Sequence, residues 1–318
     1  MTSITERTIF EQFEYLDRAL GRSRSAPSSG TVVFVGCGTS YNLALSLAAS
    51  ANARGIRSLA APGHEWARRP EAYMSKPTDA QVVCVSRSGE STEIVEAAKA
   101  SRASGVTVTV ITCEPRSSLA RIADVLLSAV THPDEGIVMT SSASLMLSIG
   151  LQYIGTEVTK ADIAMAKKLL MSLEGDRCRF FDGRSHFIYL GGGPLYGIAA
   201  EGALKLQEMS CTVTQCYHPL EYRHGPISVL DDKSVVVVLY HPHTRGEEER
   251  LVREISARGA FVVGLGGQGD LELRADASAD VLGLVYLPAL QLLGERLAGV
   301  RKLDTDAPRN LTKVIRIA

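Results

Sequence analysis

Short apolar runs and longer helical patterns alternate along the first half of the chain. Four runs of β-branched and aliphatic residues predict strands, at residues 31–35, 81–85, 106–111 and 124–127. Ala- and Leu-rich stretches with helical spacing predict helices over about 41–53, 91–104 and 137–155. Strands that alternate with helices favour a doubly wound sheet of parallel strands, so we predict an α/β fold.

The second half of the chain repeats this order. A helix predicted from Lys160 to Leu173 is followed by a strand at 187–190, which ends in the turn 191–193. A shift of 155 positions lays this glycine-rich turn over residues 36–38, and a shift of 154 positions carries the end of the strand 81–85 to the end of the run 234–239. The sequence therefore predicts two copies of one α/β unit.

The repeat predicts three segments. Residues 1–30 hold an N-terminal amphipathic helix and a Ser-, Gly- and Arg-rich loop, and the apolar positions of that helix are Phe10, Phe13, Leu16 and Leu20. Residues 31–175 are predicted to form the first domain. Residues 176–318 are predicted to form the second domain, with a further helix near 197–209 and a C-terminal tail.

Two turns of the first copy combine small and hydroxyl-bearing residues at a strand-to-helix junction. Gly and Ser are ordinary turn residues, so either turn alone is weak evidence. The two turns together carry six hydroxyls, at Thr39, Ser40, Ser86, Ser88, Ser91 and Thr92. Backbone N–H groups and hydroxyls at the start of a helix bind anions, and we predict a phosphate site there. The second copy has Tyr240-His241-Pro242-His243 at the matching turn and lacks most of the hydroxyls.

Two alternatives for the first turn are disfavoured. Gly36 and Gly38 resemble the start of a dinucleotide fingerprint, but Tyr41 holds the third glycine position, and no acidic residue ends the strand near 59–61. Cys37 lies where a helix N-terminus lowers a thiol pKa and could make it a nucleophile. A turn that binds an anion uses its backbone more than its sulfur, so we expect Cys37 to contribute to phosphate binding.

Three ionisable residues share one face of the helix near 197–209. Glu201, Lys205 and Glu208 follow spacings of four and three, which on a surface helix usually give a solvated stripe with an ion pair. This helix starts from the glycine turn of the second copy, however, where doubly wound folds bind ligands. His224 follows in a loop containing Gly and Pro, and Lys313 lies close to the C-terminus.

Composition and net charge disfavour several classes of binding partner. Hydrophobic residues make up 45% of the 318 positions, and the net charge is −1, so nucleic acid and anionic membrane surfaces are disfavoured. No signal peptide and no apolar run near membrane-spanning length is apparent, which predicts a cytoplasmic protein. The six cysteines lack Cys-x-x-Cys pairs and are expected to be free thiols, and the histidines show no metal-ligand spacing.

These motifs resemble the sugar isomerase (SIS) double-domain family from about residue 31 to the C-terminus. Five segments carry the resemblance, in order: residues 36–41, 86–92, 201–208, 221–226 and 306–313. The isomerase half of glucosamine-6-phosphate synthase is a well-known relative. The family implies two doubly wound SIS domains, a homodimer, and no metal or organic cofactor.

The resemblance also implies roles for individual residues. The turns would bind the phosphate of a sugar phosphate through Cys37, Gly38, Thr39, Ser40, Ser86, Arg87, Ser88 and Ser91. Glu208 would move a proton between carbons 1 and 2, and His224 would assist ring opening, reaching the site of the neighbouring subunit. Lys313 would contact the sugar or form a Schiff base with its carbonyl. Glu201 and Lys205 match further active-site positions, and Thr140 and Ser141 match a substrate-contacting run.

Departures from the synthase guide the choice of activity. Arg87 replaces a Gln, Ser91 replaces a Thr, and residues 138–142 replace a Ser-Thr-Lys run. The first cysteine is Cys37, so we expect no glutaminase and no amination from glutamine. The sequence therefore predicts a hexosamine- or ketosamine-6-phosphate isomerase that releases ammonia or an amine. Isomerisation without loss of nitrogen, and a non-catalytic sugar-phosphate sensor, stay open as alternatives; His241 and His243 are expected to be structural.

Overall fold

The computed structural model describes residues 2–21, 27, 30–174 and 176–316. They form two parallel five-stranded sheets flanked by helices, which confirms the predicted α/β fold. The helices are α1 Ile4–Ala19, α2 Thr39–Ala53, α3 Gly63–Arg68, α4 Thr92–Ala103, α5 Ser141–Tyr153, α6 Lys160–Met171, α7 Pro194–Ser210, α8 Arg245–Ser256 and α9 Leu282–Val300. The strands are β1 Thr31–Gly36, β2 Ser58–Pro62, β3 Ala80–Ser86, β4 Val108–Thr112, β5 Val125–Ser128, β6 His186–Gly191, β7 Thr214–Tyr217, β8 Ser234–Leu239, β9 Phe261–Leu265 and β10 Leu271–Leu273.

The two sheets have the same strand order. The first runs β2-β1-β3-β4-β5, and the second, read in the matching direction, runs β7-β6-β8-β9-β10. In each sheet the first and third strands of the repeat are parallel neighbours, β1 beside β3 and β6 beside β8. The predicted internal repeat is thereby confirmed at the level of topology.

The central strands explain the continuous apolar runs. All six residues of β8 are buried, as are five of six in β1 and six of seven in β3. A parallel strand covered by helices on both faces favours apolar side chains along its length, and β-branched residues suit its extended backbone.

The described residues divide into two compact units. The first-repeat unit contains the described residues of Glu11–Glu135, Met139–Thr159 and Thr312–Ala318. The second-repeat unit contains those of Met1–Phe10, Gly136–Val138 and Lys160–Leu311. The predicted domain boundaries after residues 30 and 175 follow the sequence repeat, and they stay a prediction.

The element boundaries lie close to the predicted ones, with one larger difference. The helix predicted from residue 137 begins only at Ser141. Its start is delayed because the carboxylate of Glu135 accepts hydrogen bonds from the backbone N–H groups of Thr140 and Ser142, as a capping group does. The edge strands β7 and β10 span only four and three residues and carried no recognisable pattern.

Helix α9 bears on the expectation that no apolar run approaches membrane-spanning length. Residues Ala279–Val300 are long and apolar enough to cross a membrane by length and composition. Within the part of the chain that the structure describes, however, 89% of the most apolar window is buried, so the helix serves as core of the second-repeat unit. Glu295 and Arg296 interrupt its apolar run, so the uncharged stretch of the helix stays shorter than a membrane span.

Some predictions fall outside the described residues. The loop predicted at 21–30 is described only at positions 21, 27 and 30, and the side chain of Cys178 is not described. The other five cysteines are free thiols, as predicted: Cys37, Cys84, Cys113, Cys211 and Cys216.

Candidate active site

The two hydroxyl-rich turns of the first repeat lie side by side. Strands β1 and β3 pair in parallel, with Val35 opposite Cys84, so the turns that follow them leave the same edge of the sheet. Helix α2 starts at Thr39 from Gly38, whose φ of 55° favours glycine. Thr39 and Ser40 are buried in the first turn of α2.

The turn after β3 is held by its own hydroxyls. The Oγ of Ser86 accepts a hydrogen bond from the Gly89 N–H at 3.1 Å, and the Oγ of Ser88 accepts one from the Glu90 N–H at 3.3 Å. Each hydroxyl hydrogen is left to donate elsewhere. Ser91 precedes α4 as its N-cap residue, without a side-chain capping bond. These hydroxyls are therefore positioned by the backbone that they hold in place.

Arg87 and the C-terminal tail meet in the first-repeat unit. Arg87 is only 8% exposed, and its Nη2 donates to the carbonyl oxygen of Lys313 at 3.4 Å. The Nζ of Lys313 donates to the carbonyl oxygen of Glu135 at 2.9 Å. The N–H of Thr92 donates to the carbonyl oxygen of Ile315 at 3.3 Å. The structure thus brings two predicted site residues, Arg87 and Lys313, into contact across 226 positions of sequence.

Thr140 and Ser141 lie fully buried at the start of α5. The Oγ1 of Thr140 donates to the carboxylate of Glu135 at 3.1 Å. The Oγ atoms of Ser141 and Ser142 have no hydrogen-bond partner among the described residues. Buried hydroxyls are normally paired, so these two are available to a further polar group.

The environment of Cys37 does not activate its thiol. Burial, with a smaller contribution from the nearby Glu93 carboxylate, raises the pKa of Cys37 to about 11. The sulfur packs against Gly63, where a Cβ would lie 2.8 Å from it. A protonated, packed thiol is a weak nucleophile, in line with the expectation that Cys37 is no nucleophile.

Helix α7 carries a buried ionic cluster. Glu201 and Lys205 are 0% and 1% exposed, while the side chain of Glu208 retains 19% exposure. The Nζ of Lys205 lies 3.6 Å from the Oε1 of Glu201 and donates a hydrogen bond to the Oε2 of Glu208. The solvated stripe that the spacing usually indicates is therefore wrong for this helix.

Burying the charges of this cluster costs free energy of folding, which indicates that the cluster has a role other than stability. Removing ions from water costs several kcal/mol each, and an ion pair in the interior recovers that cost only with good geometry. Two carboxylates share one ammonium here, and Glu208 keeps a path to solvent. Such an arrangement holds a carboxylate at a fixed place, where it can accept and return a proton.

Helix α7 packs closely against its neighbours around Lys205. A Cβ at Gly202 would lie 2.9 Å from the ring of Tyr189, and a Cβ at Gly294 of α9 would lie 3.0 Å from the Lys205 carbonyl oxygen. Glycine at both positions lets β6 and α9 approach the helix closely. A side chain at either position would therefore push these elements apart.

His224 is presented by a tightly held loop of the second-repeat unit. The preceding Tyr222 is fully buried, and Arg223 makes a two-point ion pair with Glu254, at 2.9 and 2.6 Å. His224 itself is exposed. Among the described residues its imidazole makes no hydrogen bond, so the loop holds the ring toward solvent.

The matching turn of the second repeat is already occupied by a side chain. Glu248 is 2% exposed, and its carboxylate accepts hydrogen bonds from the His241 N–H at 3.0 Å and the Thr244 hydroxyl at 2.8 Å. Burial raises the pKa of this carboxyl. An internal carboxylate thus accepts the hydrogen bonds that this turn of the second repeat offers, and phosphate binding by the first copy stays a prediction.

Sequence reasoning missed Glu135 and Glu248. Both are acidic residues just before or within the first turns of a helix, a position where carboxylates accept backbone hydrogen bonds. That signal was present in the sequence, but only tertiary burial separates these two from the many exposed acidic residues. No cluster of three His, Cys, Asp or Glu side chains able to hold a metal ion occurs among the described residues.

Comparison with known proteins places this geometry in a family. The family model described as the SIS domain matches residues 27–154 and 181–281, well over half of the chain. The chain belongs to the SIS domain family. The match covers both repeats, which confirms the resemblance inferred from the motifs.

The curated relatives are larger proteins. A glutamine–fructose-6-phosphate aminotransferase (isomerizing) from Pyrobaculum aerophilum is 29% identical over 311 residues, covering 90% of this SIS chain and 51% of the relative. Its counterpart in Gloeobacter violaceus is 30% identical over 277 residues, covering 77% of this chain and 46% of the relative. The chain spans about half the length of the curated relatives that it matches.

Solved structures match along their full length. The glucosamine-6-phosphate deaminase of Thermotoga maritima superposes with a TM-score of 0.84 at 27% identity, covering 99% of this chain and all of the other. The tagatose-6-phosphate ketose/aldose isomerase of Escherichia coli gives a TM-score of 0.81 at 23% identity, covering 96% and 95%. The second likeness supports the fold, and the relatives together indicate an enzyme of the SIS family.

Proposed function

We propose that this protein is a phosphosugar isomerase that acts on a hexosamine or ketosamine 6-phosphate and releases ammonia or an amine. The buried Glu201–Lys205–Glu208 cluster carries the proposal, because aldose–ketose conversion needs a fixed carboxylate to move a proton between neighbouring carbons. The likeness to a glucosamine-6-phosphate deaminase over the whole chain supports the deaminating form.

Each predicted residue receives a role in this scheme. Glu208 takes the proton from one carbon and returns it to the other, and Lys205 stabilises the developing negative charge and holds Glu208. Glu201 sets the charge around Lys205. His224 assists ring opening, and Lys313 contacts the sugar or forms a Schiff base with its carbonyl.

The hydroxyl-rich turns are assigned to the phosphate. Cys37, Gly38, Thr39 and Ser40 would contribute backbone N–H groups and hydroxyls, as would Ser86, Ser88 and Ser91. Arg87 adds a cation to the turn, and charge-assisted bonds to phosphate are about twice as strong as neutral ones. Thr140 and Ser141 are assigned to the sugar, because the Ser141 hydroxyl lacks a partner among the described residues.

We further propose a homodimer in which His224 serves the site of the neighbouring subunit. The exposure of His224 supports this, as do the exposed apolar residues Leu220 and Val229 in the same loop. A cytoplasmic location and the domain boundaries after residues 30 and 175 belong to the same proposal.

Proton NMR in deuterium oxide, read beside an ammonia assay, tests the proposed reaction. The substrates are the 6-phosphates of glucosamine, galactosamine and a fructosyl-amine. Deuterium uptake at carbon 2 with ammonia release supports a deaminating isomerase and identifies its sugar. Uptake without ammonia favours isomerisation alone, and binding without uptake favours a sugar-phosphate sensor.

Substitution of Glu208 tests the assignment of the base. Glu208→Gln should lower kcat roughly 10²–10⁴-fold with little effect on folding, since proton transfer by a placed side chain contributes about that factor. Glu247→Gln, on the surface of α8, serves as the control and should turn over normally. Unchanged turnover in Glu208→Gln would remove Glu208 from the role of base.

Substitution of Ser86 and Ser88 tests the phosphate turns. Ser88→Ala and Ser86→Ala should raise KM before they lower kcat, because they remove binding common to ground state and transition state. Ser104→Ala, at the exposed end of α4, is the control. A normal KM in both turn variants would take these hydroxyls out of the phosphate site.

A further inference from the structure

Glu135 is a buried carboxylate whose hydrogen bonds all lie within the first-repeat unit. It is 3% exposed. Its Oε1 accepts from the Thr140 N–H at 2.7 Å, the Thr140 hydroxyl at 3.1 Å and the Ser142 N–H at 2.9 Å. Its Oε2 accepts from the Thr131 hydroxyl at 3.1 Å. Both carboxylate oxygens are thus held by neighbours on two sides.

These bonds immobilise the whole residue. A carboxylate at a helix N-terminus gains from the helix dipole as well as from the N–H groups, and a buried carboxylate that lost these partners would pay its desolvation cost in full. The N–H of Glu135 also donates to the His132 carbonyl at 3.1 Å. With side chain and N–H both tied, the Cα from which the carbonyl of Glu135 projects is held in place.

That carbonyl receives the ammonium of Lys313. The Nζ–O distance is 2.9 Å. The carbonyl of Lys313 in turn accepts from the Nη2 of Arg87 at 3.4 Å. Arg87 and Glu135 therefore hold Lys313 from its two ends, one at the backbone and one at the side chain.

We propose that Glu135 is a positioning residue for Lys313: by tying its carboxylate to the start of α5, it aims its carbonyl at the Lys313 ammonium and fixes where that ammonium lies. The proposal deepens the proposed function and rests on it, because it gives Lys313 a reason to be held. The alternative is that Glu135 only caps α5. In that case the loss of the Glu135 carboxylate would leave the position and the reactivity of the Lys313 amine unchanged.

Reactivity of the Lys313 amine measures its position without any substrate. Competitive acylation of the full-length protein, followed by peptide mass spectrometry, gives the acylation rate of Lys313 relative to exposed Lys99 on α4. Glu135→Ala should raise that relative rate several-fold, since the backbone carbonyl stays but loses the carboxylate bonds that hold it against the amine. Glu135→Gln, which keeps an oxygen for the Thr140 and Ser142 N–H groups, should restore slow acylation.

Two further variants complete the test. Glu114→Ala removes an exposed carboxylate of the same unit and should leave Lys313 acylation unchanged. Glu135→Asp keeps the charge but is too short to reach α5 from the same backbone, so it should also speed acylation and decides the matter if Glu135→Ala does not fold. Wild-type acylation of Lys313 in either folded variant, Glu135→Ala or Glu135→Asp, overturns the proposal.

Kinetics separate the failure of this proposal from that of the proposed function. In an active enzyme, Glu135→Ala should lower kcat roughly ten- to a hundredfold through misplacement of Lys313, and should cause no further loss in a Lys313→Met background. Full additivity of the two losses would contradict positioning through Lys313. An enzyme inactive on every sugar phosphate would overturn the function, while the acylation result would still decide the role of Glu135.

Discussion

At Cys37, burial overrides the usual effect of a helix N-terminus. A thiol at the start of a helix normally ionises more easily, which is why the sequence allowed a nucleophile there. The side chain is enclosed instead, against Gly63 and near Glu93, and its pKa rises to about 11. The sequence pattern predicted the helix start. It did not predict which residues of other elements enclose the Cys37 side chain.

We expect Cys37 to react slowly with iodoacetamide at neutral pH. The thiolate is the reactive form, so the alkylation rate should climb steadily between pH 7 and 10, with no plateau below a pKa of about 11. The exposed Cys211 supplies the reference rate in the same peptide-mass experiment. Cys37→Ser should retain turnover; a loss comparable to that of Glu208→Gln would revive Cys37 as a reacting group.

The acidic residues show how far residue-level prediction reaches. Spacing along α7 places Glu201, Lys205 and Glu208 on one face, and the structure agrees. Their burial follows from packing against other elements, α9 among them, which starts more than seventy positions later in the sequence. Glu135 was missed for the same reason, since its partner Lys313 is 178 positions away.

Among the elements, helix α1 depends on a cap from the far end of the chain. The carboxylate of Asp306 accepts hydrogen bonds from the N–H groups of Ile4 and Thr5, at 2.9 and 2.8 Å, and from the Thr5 hydroxyl at 2.9 Å. The apolar periodicity predicted this helix with Phe13 and Leu16 on its buried side, and both are buried. Periodicity carries no information about a cap more than three hundred residues away.

Asp306→Ala should therefore destabilise the protein by about 1–2 kcal/mol, the usual cost of losing a helix N-cap. Urea unfolding followed by circular dichroism measures the change. Asp17→Ala is the matched control, because Asp17 is an exposed residue near the other end of the same helix, and it should stay within about 0.5 kcal/mol of wild type. Equal stability of the two variants would show that the cap contributes nothing.

Over the whole molecule, the repeat explains most of what the sequence could predict. A shift of 155 positions matches β1 to β6, and it matches Gly38 to Gly193, with φ angles of 55° and 54° before the following helices. Topology was predictable because strand-helix alternation has few parallel arrangements. The missing hydroxyls showed from the sequence that the two turns differ in chemistry. The sequence did not show that the Glu248 carboxylate accepts hydrogen bonds at the second turn.

The last prediction tests whether the two repeats share one structural requirement. A Cβ on Gly36 would lie 2.4 Å from the Ser40 carbonyl oxygen, and a Cβ on Gly191 would lie 2.4 Å from that of Leu195. Both contacts are with helix backbone, which cannot yield without moving the strand-to-helix turn. Gly36→Ala and Gly191→Ala should each lower the free energy of unfolding by roughly 3 kcal/mol or more, as other severe strain in a packed interior does.

Gly105→Ala separates this clash from simple backbone strain. Gly105 has a φ of 76°, but its Cβ would meet no atom within 4 Å, so the substitution should cost only about 1 kcal/mol. Soluble yield and thermal unfolding compare all three variants. The contrary outcome is that Gly191→Ala lowers the free energy of unfolding only as much as Gly105→Ala does, while Gly36→Ala lowers it far more. Close approach of strand and helix would then be required only in the first repeat, where a phosphate is proposed to bind, and not in the second.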